Sequence, residues 1–209
     1  MSKKITNKMM EMLQINQAYQ SIAPHNQSYI YGLWKALEHK DIGTQGHMFR
    51  VAYYAKRLAA LWGLDQETQD CIVLAGLLHD IGKYWVTTQV LLKPASLTQE
   101  EFSMVQQHPT IGKVILATLD FPENIITAVE YHHKRFDLQG YPYKAEIDEL
   151  PLEAAIIGIS DAFDAMTTSR PYRKPLPLEE AKQEIEKNIG TQFHPELAEA
   201  FITLLSHKR

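Results

Sequence analysis

The sequence lacks two features that would point to whole classes of protein: paired cysteines and an alternating strand pattern. Its only cysteine, Cys71, has no partner in the chain, so an intrachain disulfide is excluded. Cys71 lies within an apolar run, which favours a small core residue over a nucleophile. The chain has no repeat or low-complexity tract, and its apolar residues recur at helical spacing. The sequence therefore predicts an all-α protein.

The chain also lacks long apolar runs and an excess of positive charge. No continuous apolar segment suits a membrane span or a signal peptide, so we expect a cytoplasmic protein without membrane contact. The formal net charge of −4 argues against a nucleic-acid polymer as partner, because neutralising many phosphates requires an excess of lysine and arginine. A small anionic substrate stays compatible, since it needs only a local basic pocket.

The chain does have enough apolar sequence for one substantial core. With 209 residues, 45% of them hydrophobic, it is too short for two ordinary domains. We expect a helical N-terminal extension over residues 1–28 and one main domain over residues 29–209. Apolar periodicity, caps and breakers predict the helices of that domain, over residues 29–40, 47–62, 66–81, 98–106, from 109 onward, 122–133, 151–168, 178–188 and 195–206. Residues 84–97 are predicted to be a loop with at most a short helical turn.

The chain is organised around the stretch Leu-Ala-Gly-Leu-Leu-His-Asp-Ile-Gly-Lys at residues 74–83. An apolar helix is predicted to end here in adjacent His79 and Asp80, with Gly82 as the left-handed residue after the helix and Lys83 just beyond. A carboxylate has two oxygens, so Asp80 could bridge two metal ions, whereas His79 could bind only one. Taken alone, such a pair would be an ordinary polar helix end.

Five further polar residues lie near the ends of predicted helices or within an apolar helix. They are His47, His108, His132, His133 and Asp161. Each histidine alone is more often a hydrogen-bonded structural residue than a ligand, but Asp161, on an apolar helix, needs a cation or hydrogen-bond partners. The set could form two metal sites joined by one bridging carboxylate: His47, His79, Asp80 and Asp161 for one metal, and Asp80, His108, His132 and His133 for the other. Nitrogen and oxygen ligands without thiolate suit iron or manganese at least as well as zinc. Two metals about 3.5–4 Å apart could activate a shared water and clamp a phosphodiester for in-line attack.

The order of the motifs resembles the HD-GYP family of the HD phosphohydrolase superfamily, over residues 34–205. The motifs that carry the resemblance are His47-x-x-Arg50-Val, His79-Asp80-Ile-Gly-Lys83, Lys93-Pro, Leu97-Thr-x-Glu100-Glu101, His108-x-x-x-Gly112, His132-His133, Asp137, Gly140-Tyr-Pro142, Ser160-Asp161-Ala-Phe-Asp164-Ala-Met-Thr and Arg170-Pro-Tyr-Arg173. The resemblance implies a helical bundle around a buried dinuclear metal site.

The implied reaction is hydrolysis of cyclic di-GMP to the linear dinucleotide or to GMP, by attack of a metal-bridging hydroxide. The seven residues set out above match the family's metal ligands, with Asp80 and Lys83 in the catalytic set. Lys83 matches the phosphate-contacting lysine, and the substrate side is matched by Tyr141, Arg170 and Arg173. The resemblance also suggests a signalling-protein partner at the loop of residues 140–142, and self-association as a homodimer is compatible with it.

Two residues depart from the family's loop signature. Lys134 follows the His pair where the family usually has Glu, and Leu138 follows the loop Asp where it usually has Gly. Leu138 would pay for a positive φ, so we expect a changed loop path before Gly140. Gly43 stands where some relatives carry a Glu for a third metal, so two metals are expected.

Two alternative functions stay open at this point. One is an HD-superfamily phosphohydrolase acting on another nucleotide, which the Gly-Tyr-Pro motif disfavours. The other is a metal-binding signalling or scaffold module that has lost turnover, which the two loop departures keep open.

Charges near the motifs suggest where the substrate binds. We interpret Lys134, Arg135 and Lys174 as solvated charges at helix ends, and His194 as a solvent-exposed helix start. Arg170 and Arg173 follow the Asp161 helix, where an arginine pair could hold the second phosphate of a cyclic dinucleotide.

Overall fold

The computed structural model describes residues 46–144, 147–169 and 174–206, together with Gly32 and Lys35. Within these ranges the chain is helical, and its only β-type pairings are isolated bridges between Lys134 and Gly140 and between Ile189 and Phe193. The expected all-α class is therefore confirmed.

Nine α-helices and one 3-10 turn form the described part of the chain. In chain order they are α1 His47–Trp62, α2 Gln66–Leu78, the 3-10 turn Ile81–Trp85, α3 Thr88–Leu91, α4 Gln99–Val105, α5 His108–Thr118, α6 Glu123–Tyr131, α7 Leu152–Thr167, α8 Leu178–Lys187 and α9 Pro195–Ser206. The segment expected as a loop over residues 84–97 contains only part of the 3-10 turn and the four-residue α3.

Local sequence accounts for several helix ends. Gly63 ends α1 with a left-handed φ of 85°. A residue with a Cβ would adopt this φ only at a cost. Thr98 and Glu101 form a reciprocal capping box at the start of α4, satisfying two backbone N–H groups that would lack partners. Pro151 precedes α7, where the missing N–H of proline costs nothing.

Helix α2 forms the centre of the core. All its residues from Cys71 to Leu78 are buried, which matches the continuous apolar run, and the helix packs against α1, α6 and α7. Gly76 permits the close crossing with α1, because a Cβ here would lie 2.8 Å from the Cα of Ala52. Every helix that carries a predicted site residue packs within this core or beside it.

The predicted role of Gly82 was wrong, and tertiary packing gives the reason. Helix α2 ends at Leu78, and Gly82 lies inside the 3-10 turn without a positive φ. A Cβ on Gly82 would collide with the carbonyl oxygen of His108 and lie 2.8 Å from the N of Gly112. Gly82 is therefore needed for close contact between this turn and α5.

The start of α5 also differs from the prediction, which placed it at Pro109. The helix begins at His108 itself, although a following proline disfavours helical backbone. Two contacts hold His108 there: the packing of Gly82 on its carbonyl, and a 2.7 Å hydrogen bond between its Nδ1 and the carbonyl of Val105.

Several predictions fall outside the described residues. These are the helix over residues 1–28, the helix over residues 29–40 apart from the helical Gly32 and Lys35, and the arginine pair at residues 170 and 173. The proposed domain division therefore stays a prediction. Within the described part of the chain, no helix has the length and apolar character needed to cross a bilayer.

Replacing Gly82 with alanine should destabilise the protein by at least about 2 kcal/mol, because the added methyl group forces the 3-10 turn away from α5. Denaturant unfolding would measure the loss. The control is Val114→Ala at an exposed position of α5, which should change the free energy of unfolding by less than about 0.5 kcal/mol. Equal stability of the Gly82 variant and wild type would contradict the packing explanation.

Candidate metal centre

The structure brings all seven predicted ligand residues into one cluster, in which all but His133 and Asp161 are fully buried. They come from helix ends and from the middle of one helix: His47 opens α1, His79 and Asp80 follow α2, His108 opens α5, His132 and His133 follow α6, and Asp161 lies within α7. Most of the seven residues lie at helix termini. They come together because these helix ends meet at one place in the bundle.

The first group of ligand atoms surrounds one oxygen of Asp80. His47 Nε2 lies 3.8 Å and His79 Nε2 lies 3.5 Å from Asp80 Oδ2, and His47 Nε2 is 3.3 Å from Asp161 Oδ1. One ligand atom from each of His47, His79 and Asp80 lies within 4.8 Å of the others, a spacing that could hold a metal ion. The four residues are those predicted for one metal.

The second group faces the other oxygen of the same carboxylate. His108, His132 and His133 also bring ligand atoms within 4.8 Å of one another, and His108 Nε2 lies 3.3 Å from Asp80 Oδ1. His108 Nε2 and His132 Nε2 are 3.2 Å apart. The two oxygens of Asp80 are therefore directed at two different histidine groups, as a bridging ligand requires.

Three of the histidines are oriented by the same local contact. The Nδ1 atoms of His79, His108 and His132 lie 2.7–2.8 Å from the carbonyls three residues earlier, those of Gly76, Val105 and Val129. Such carbonyls near a helix C-terminus lack intrahelical partners, so they accept from the ring. When Nδ1 donates, Nε2 keeps its lone pair and points into the cluster, as metal-binding imidazoles do.

Asp164 is a residue to which the sequence analysis assigned no role. Its carboxylate is 1% exposed, lies 2.7 Å from His47 Nδ1 and accepts hydrogen bonds from Arg50. The contact orients the His47 ring so that Nε2 faces Asp80 and Asp161. The available sequence signal was the spacing of three residues from Asp161, which puts both carboxylates near one face of α7.

Burial controls the charge of most of the histidines. Desolvation lowers the pKa of His79, takes that of His132 well below its usual value and lowers that of His133 to about 3. These rings are therefore neutral at neutral pH, as metal ligands must be.

The carboxylates and His47 behave differently. Burial alone would raise the pKa of Asp80, but the charge of Lys83 holds it well below its usual range. Burial alone would likewise lower the pKa of His47, but Asp161 and Asp164 raise it to about 9. A cation bound beside His47 Nε2 would compete with that proton.

Two buried atoms of the cluster lack hydrogen-bond partners, namely His79 Nε2 and Asp80 Oδ1. An orphaned buried lone pair and carboxylate oxygen are costly in a folded protein unless they have a partner. A divalent cation fits them, because it accepts nitrogen and oxygen ligands and offsets the charge of Asp80 and Asp161. The donor set thus fits the metal expected from the sequence.

The cluster lies beside a cavity of about 900 Å³. Tyr141 lines the cavity and packs on the His133 ring with centroids 4.6 Å apart, and burial raises the pKa of its phenol. Lys83 lines it as well and donates to Asp80 Oδ2 at 2.7 Å. Tyr141 and Lys83, both predicted near the substrate, therefore lie at the cluster, whereas Arg170 and Arg173 are outside the described residues.

Two interpretations of polar residues were wrong. Lys134 is not a solvated charge, because it is only 8% exposed and lines the cavity. His194 is half-buried, lines the same cavity and packs against Trp62 and Phe136 instead of facing solvent. In both cases, tertiary packing covers a residue that the local sequence places at a helix end.

Leu138, which stands where the family usually has Gly, adopts a backbone conformation that a leucine side chain disfavours. Leu138 has a φ of 61° and Gly140 a φ of 81°, so the loop has left-handed backbone at both positions. A Cβ on Gly140 would collide with the carbonyl of His133, which explains the glycine. The loop therefore accepts the cost expected for a leucine at a positive φ.

Comparison with known proteins identifies the family. The model of the HD domain family matches residues 6–197. The chain belongs to the HD-domain family.

Curated relatives of this HD-domain chain confirm its resemblance to the HD-GYP branch. It is 41% identical over 169 residues to a cyclic di-GMP phosphodiesterase of Thermotoga maritima, covering 80% of this chain and 46% of that protein. It is 33% identical to a 3'3'-cGAMP-specific phosphodiesterase of Vibrio cholerae, covering 83% of this chain and 34% of the relative. It is also 33% identical to the cyclic di-GMP phosphodiesterase response regulator RpfG of Xanthomonas campestris, covering 81% and 46%. The HD-domain chain thus spans between a third and a half of these relatives.

Solved structures agree on the fold. The HD domain of the phosphodiesterase PgpH from L. monocytogenes aligns with a TM-score of 0.58 at 20% identity, covering 83% of this chain and 94% of that one. Bd1817, described as an HDG"Y"P protein from Bdellovibrio bacteriovorus, aligns with a TM-score of 0.64 at 18% identity, covering 80% and 53%. These similarities establish the HD-domain bundle, and together with the His and Asp clusters the family indicates divalent metal binding.

Replacing Asp164 with asparagine should weaken metal binding about 10- to 100-fold, the usual effect of removing a carboxylate that orients a ligand histidine. Competition with a chromogenic chelator would measure the affinity. The matched control is Asp137→Asn, because Asp137 is a partly exposed carboxylate that pairs with Arg135 in the nearby loop. Unchanged affinity in the Asp164 variant would show that His47 is held without it.

Proposed function

We propose that this protein is a metal-dependent phosphodiesterase that hydrolyses cyclic di-GMP to the linear dinucleotide, to GMP or to both. The observation that carries the proposal is the placement of Asp80, whose two oxygens face two histidine groups beside a cavity of about 900 Å³. A cavity of this size suits a small ligand. The relatives' names supply the substrate class, since those named above act on cyclic dinucleotides.

The cofactors in this proposal are two divalent metal ions, iron or manganese. His47, His79 and Asp161 would hold one, His108, His132 and His133 the other, and Asp80 would bridge them. When bound, such a pair activates water as a nucleophile and neutralises charge on a phosphodiester. Imidazole and carboxylate donors without thiolate suit these metals.

The remaining residues position the substrate. The Lys83 ammonium lies at the cavity wall beside Asp80, where it can donate to a phosphate oxygen as negative charge develops. Tyr141 is largely buried against His133 and His108, so its ring limits where a ligand can lie above the second histidine group. Arg50 also lines the cavity and is held there by its ion pair with Asp164.

The second candidate is the same chemistry on another cyclic dinucleotide. Relatives specific for 3'3'-cGAMP, at 33% and 35% identity, favour this alternative over unrelated nucleotides. Anaerobic purification followed by chromatography of products from cyclic di-GMP, 3'3'-cGAMP and cyclic di-AMP would decide between them. A metal-loaded protein that binds these compounds without turnover would instead be the signalling or scaffold module.

We also propose a cytoplasmic location, supported by a single buried and unpaired cysteine, which is typical of proteins from reducing compartments. A signalling partner at the loop of residues 140–142 is supported by the exposed Tyr143 next to it. A homodimer stays a prediction from the sequence.

The bridging role of Asp80 makes a prediction about metal content. Purified protein should hold close to two iron or manganese ions per chain, and Asp80→Ala should lose both, because neither group keeps a carboxylate between the metals. Elemental analysis by mass spectrometry would measure this. Asp70→Ala, which removes a carboxylate from α2 away from the cluster, should keep both metals. Full metal content in the Asp80 variant would refute the assignment.

Lys83 is proposed to stabilise developing charge on the phosphate, which a measurement of metal content would not detect. Lys83→Ala should keep its metals while turnover of cyclic di-GMP falls about 100-fold, the usual scale for one lost electrostatic donor. Steady-state kinetics on metal-loaded protein would measure the decrease. Lys113→Ala is the control, because Lys113 pairs with Glu130 away from the cavity. Wild-type turnover in the Lys83 variant would make this lysine structural.

A further inference from the structure

The cavity wall is rich in positive charge, although the chain has a net charge of −4. Five of the side chains that line it are cationic: Arg50, Lys83, Lys93, Lys134 and Arg135. Among the described residues that line the cavity, the only carboxylate is Asp161. The wall thus has the local basic character that an anionic ligand requires.

Four of these five cations are already neutralised by a neighbouring carboxylate. The ion pairs join Arg50 to Asp164, Lys83 to Asp80, Lys93 to Glu101 and Arg135 to Asp137. Lys134 differs, because no carboxylate in the described part of the chain lies within ion-pair distance of its ammonium. It is also the most buried of the five, at 8% exposure.

The ammonium of Lys134 has unused donor capacity. Its one hydrogen bond among the described residues goes to the carbonyl of Leu138 at 3.0 Å, and an ammonium carries three donors. The backbone on either side is held in place, since Lys134 N donates to Tyr131 O and a bridge pairs Lys134 with Gly140. A fixed and buried positive charge that no carboxylate of the described residues compensates is costly unless an anion reaches it.

We propose that Lys134 binds the phosphate of a cyclic dinucleotide that is not held at the metal centre. This proposal rests on the proposed function, because the ligand it needs has two phosphates. Lys134 directly follows His133 in the sequence, so it is close enough to the cluster for one ring to span both. Its charge would then select substrates with a second phosphate over those with one.

Binding affinity tests this without relying on turnover. The probe is the phosphorothioate analogue of cyclic di-GMP, which resists hydrolysis, measured by calorimetry on metal-loaded protein. Lys134→Met should weaken binding about 10- to 100-fold, the range expected for a lost charge-assisted hydrogen bond. Lys134→Arg should stay within about fivefold of wild type, because it keeps the charge. Lys144→Met, which removes an exposed charge nearby, should bind like wild type.

A second variant separates ligand binding from support of the loop. Leu138→Gly removes the strain at φ 61° and so removes the need for a lysine that holds this turn. If Lys134 binds the ligand, Lys134→Met combined with Leu138→Gly should bind as weakly as Lys134→Met alone. Recovery of affinity in the double variant would make Lys134 a brace for the loop and overturn the proposal, as would unchanged affinity in Lys134→Met.

The kinetic pattern is a further check. Lys134→Met should raise KM for cyclic di-GMP much more than it lowers kcat, and should affect bis-p-nitrophenyl phosphate, which has one phosphate, much less. Equal losses on both substrates would overturn the proposal. Wild-type protein that binds the analogue without hydrolysing cyclic di-GMP would refute the proposed turnover, while the affinities would still decide the role of Lys134. Wild-type protein that does not bind the analogue would overturn the Lys134 proposal, even if it hydrolyses the single-phosphate substrate.

Discussion

The structure depends on one buried carboxylate that is shared between two groups of histidines. Asp80 is 1% exposed, and its negative charge is stabilised by the ammonium of Lys83. A charge buried this deeply is tolerated only where partners surround it, so the helices must converge on Asp80. Asp80 lies at the break between α2 and the 3-10 turn, where the α-helical backbone ends.

The helix packing around α2 and the following 3-10 turn both stabilises the fold and positions the ligand residues. Gly76 and Gly82 allow α1 and α5 to approach α2 and the following turn closely, and those contacts carry His47 and His108 to the cluster. The far ring nitrogens are satisfied by helix carbonyls or by Asp164, so the near nitrogens remain available. A change in this packing would therefore alter the ligand geometry along with the free energy of unfolding.

The loop of residues 134–141 completes the site. Its backbone bonds to the turn at residues 188–193 through Phe136 and Asp137, which fixes it against the end of the bundle. Two departures from the family signature meet within it, because Lys134 donates to the carbonyl of Leu138. This hydrogen bond lies in a turn that a glycine would form without strain, and Lys134 also brings a positive charge to the cavity wall.

The sequence by itself determined the all-α class and most helix ends, because caps, breakers and apolar periods are local. The seven clustered residues were indicated by their joint occurrence and by the resemblance of their motifs to the HD-GYP family. The sequence also revealed Asp161 as anomalous, since a carboxylate on an apolar helix has a recognisable cost. Only the tertiary structure decided the role of Gly82, the contact of Asp164 with His47 and the burial of Lys134. Each of these depends on the distance between chain segments far apart in sequence, which is set by helix packing and leaves no local pattern.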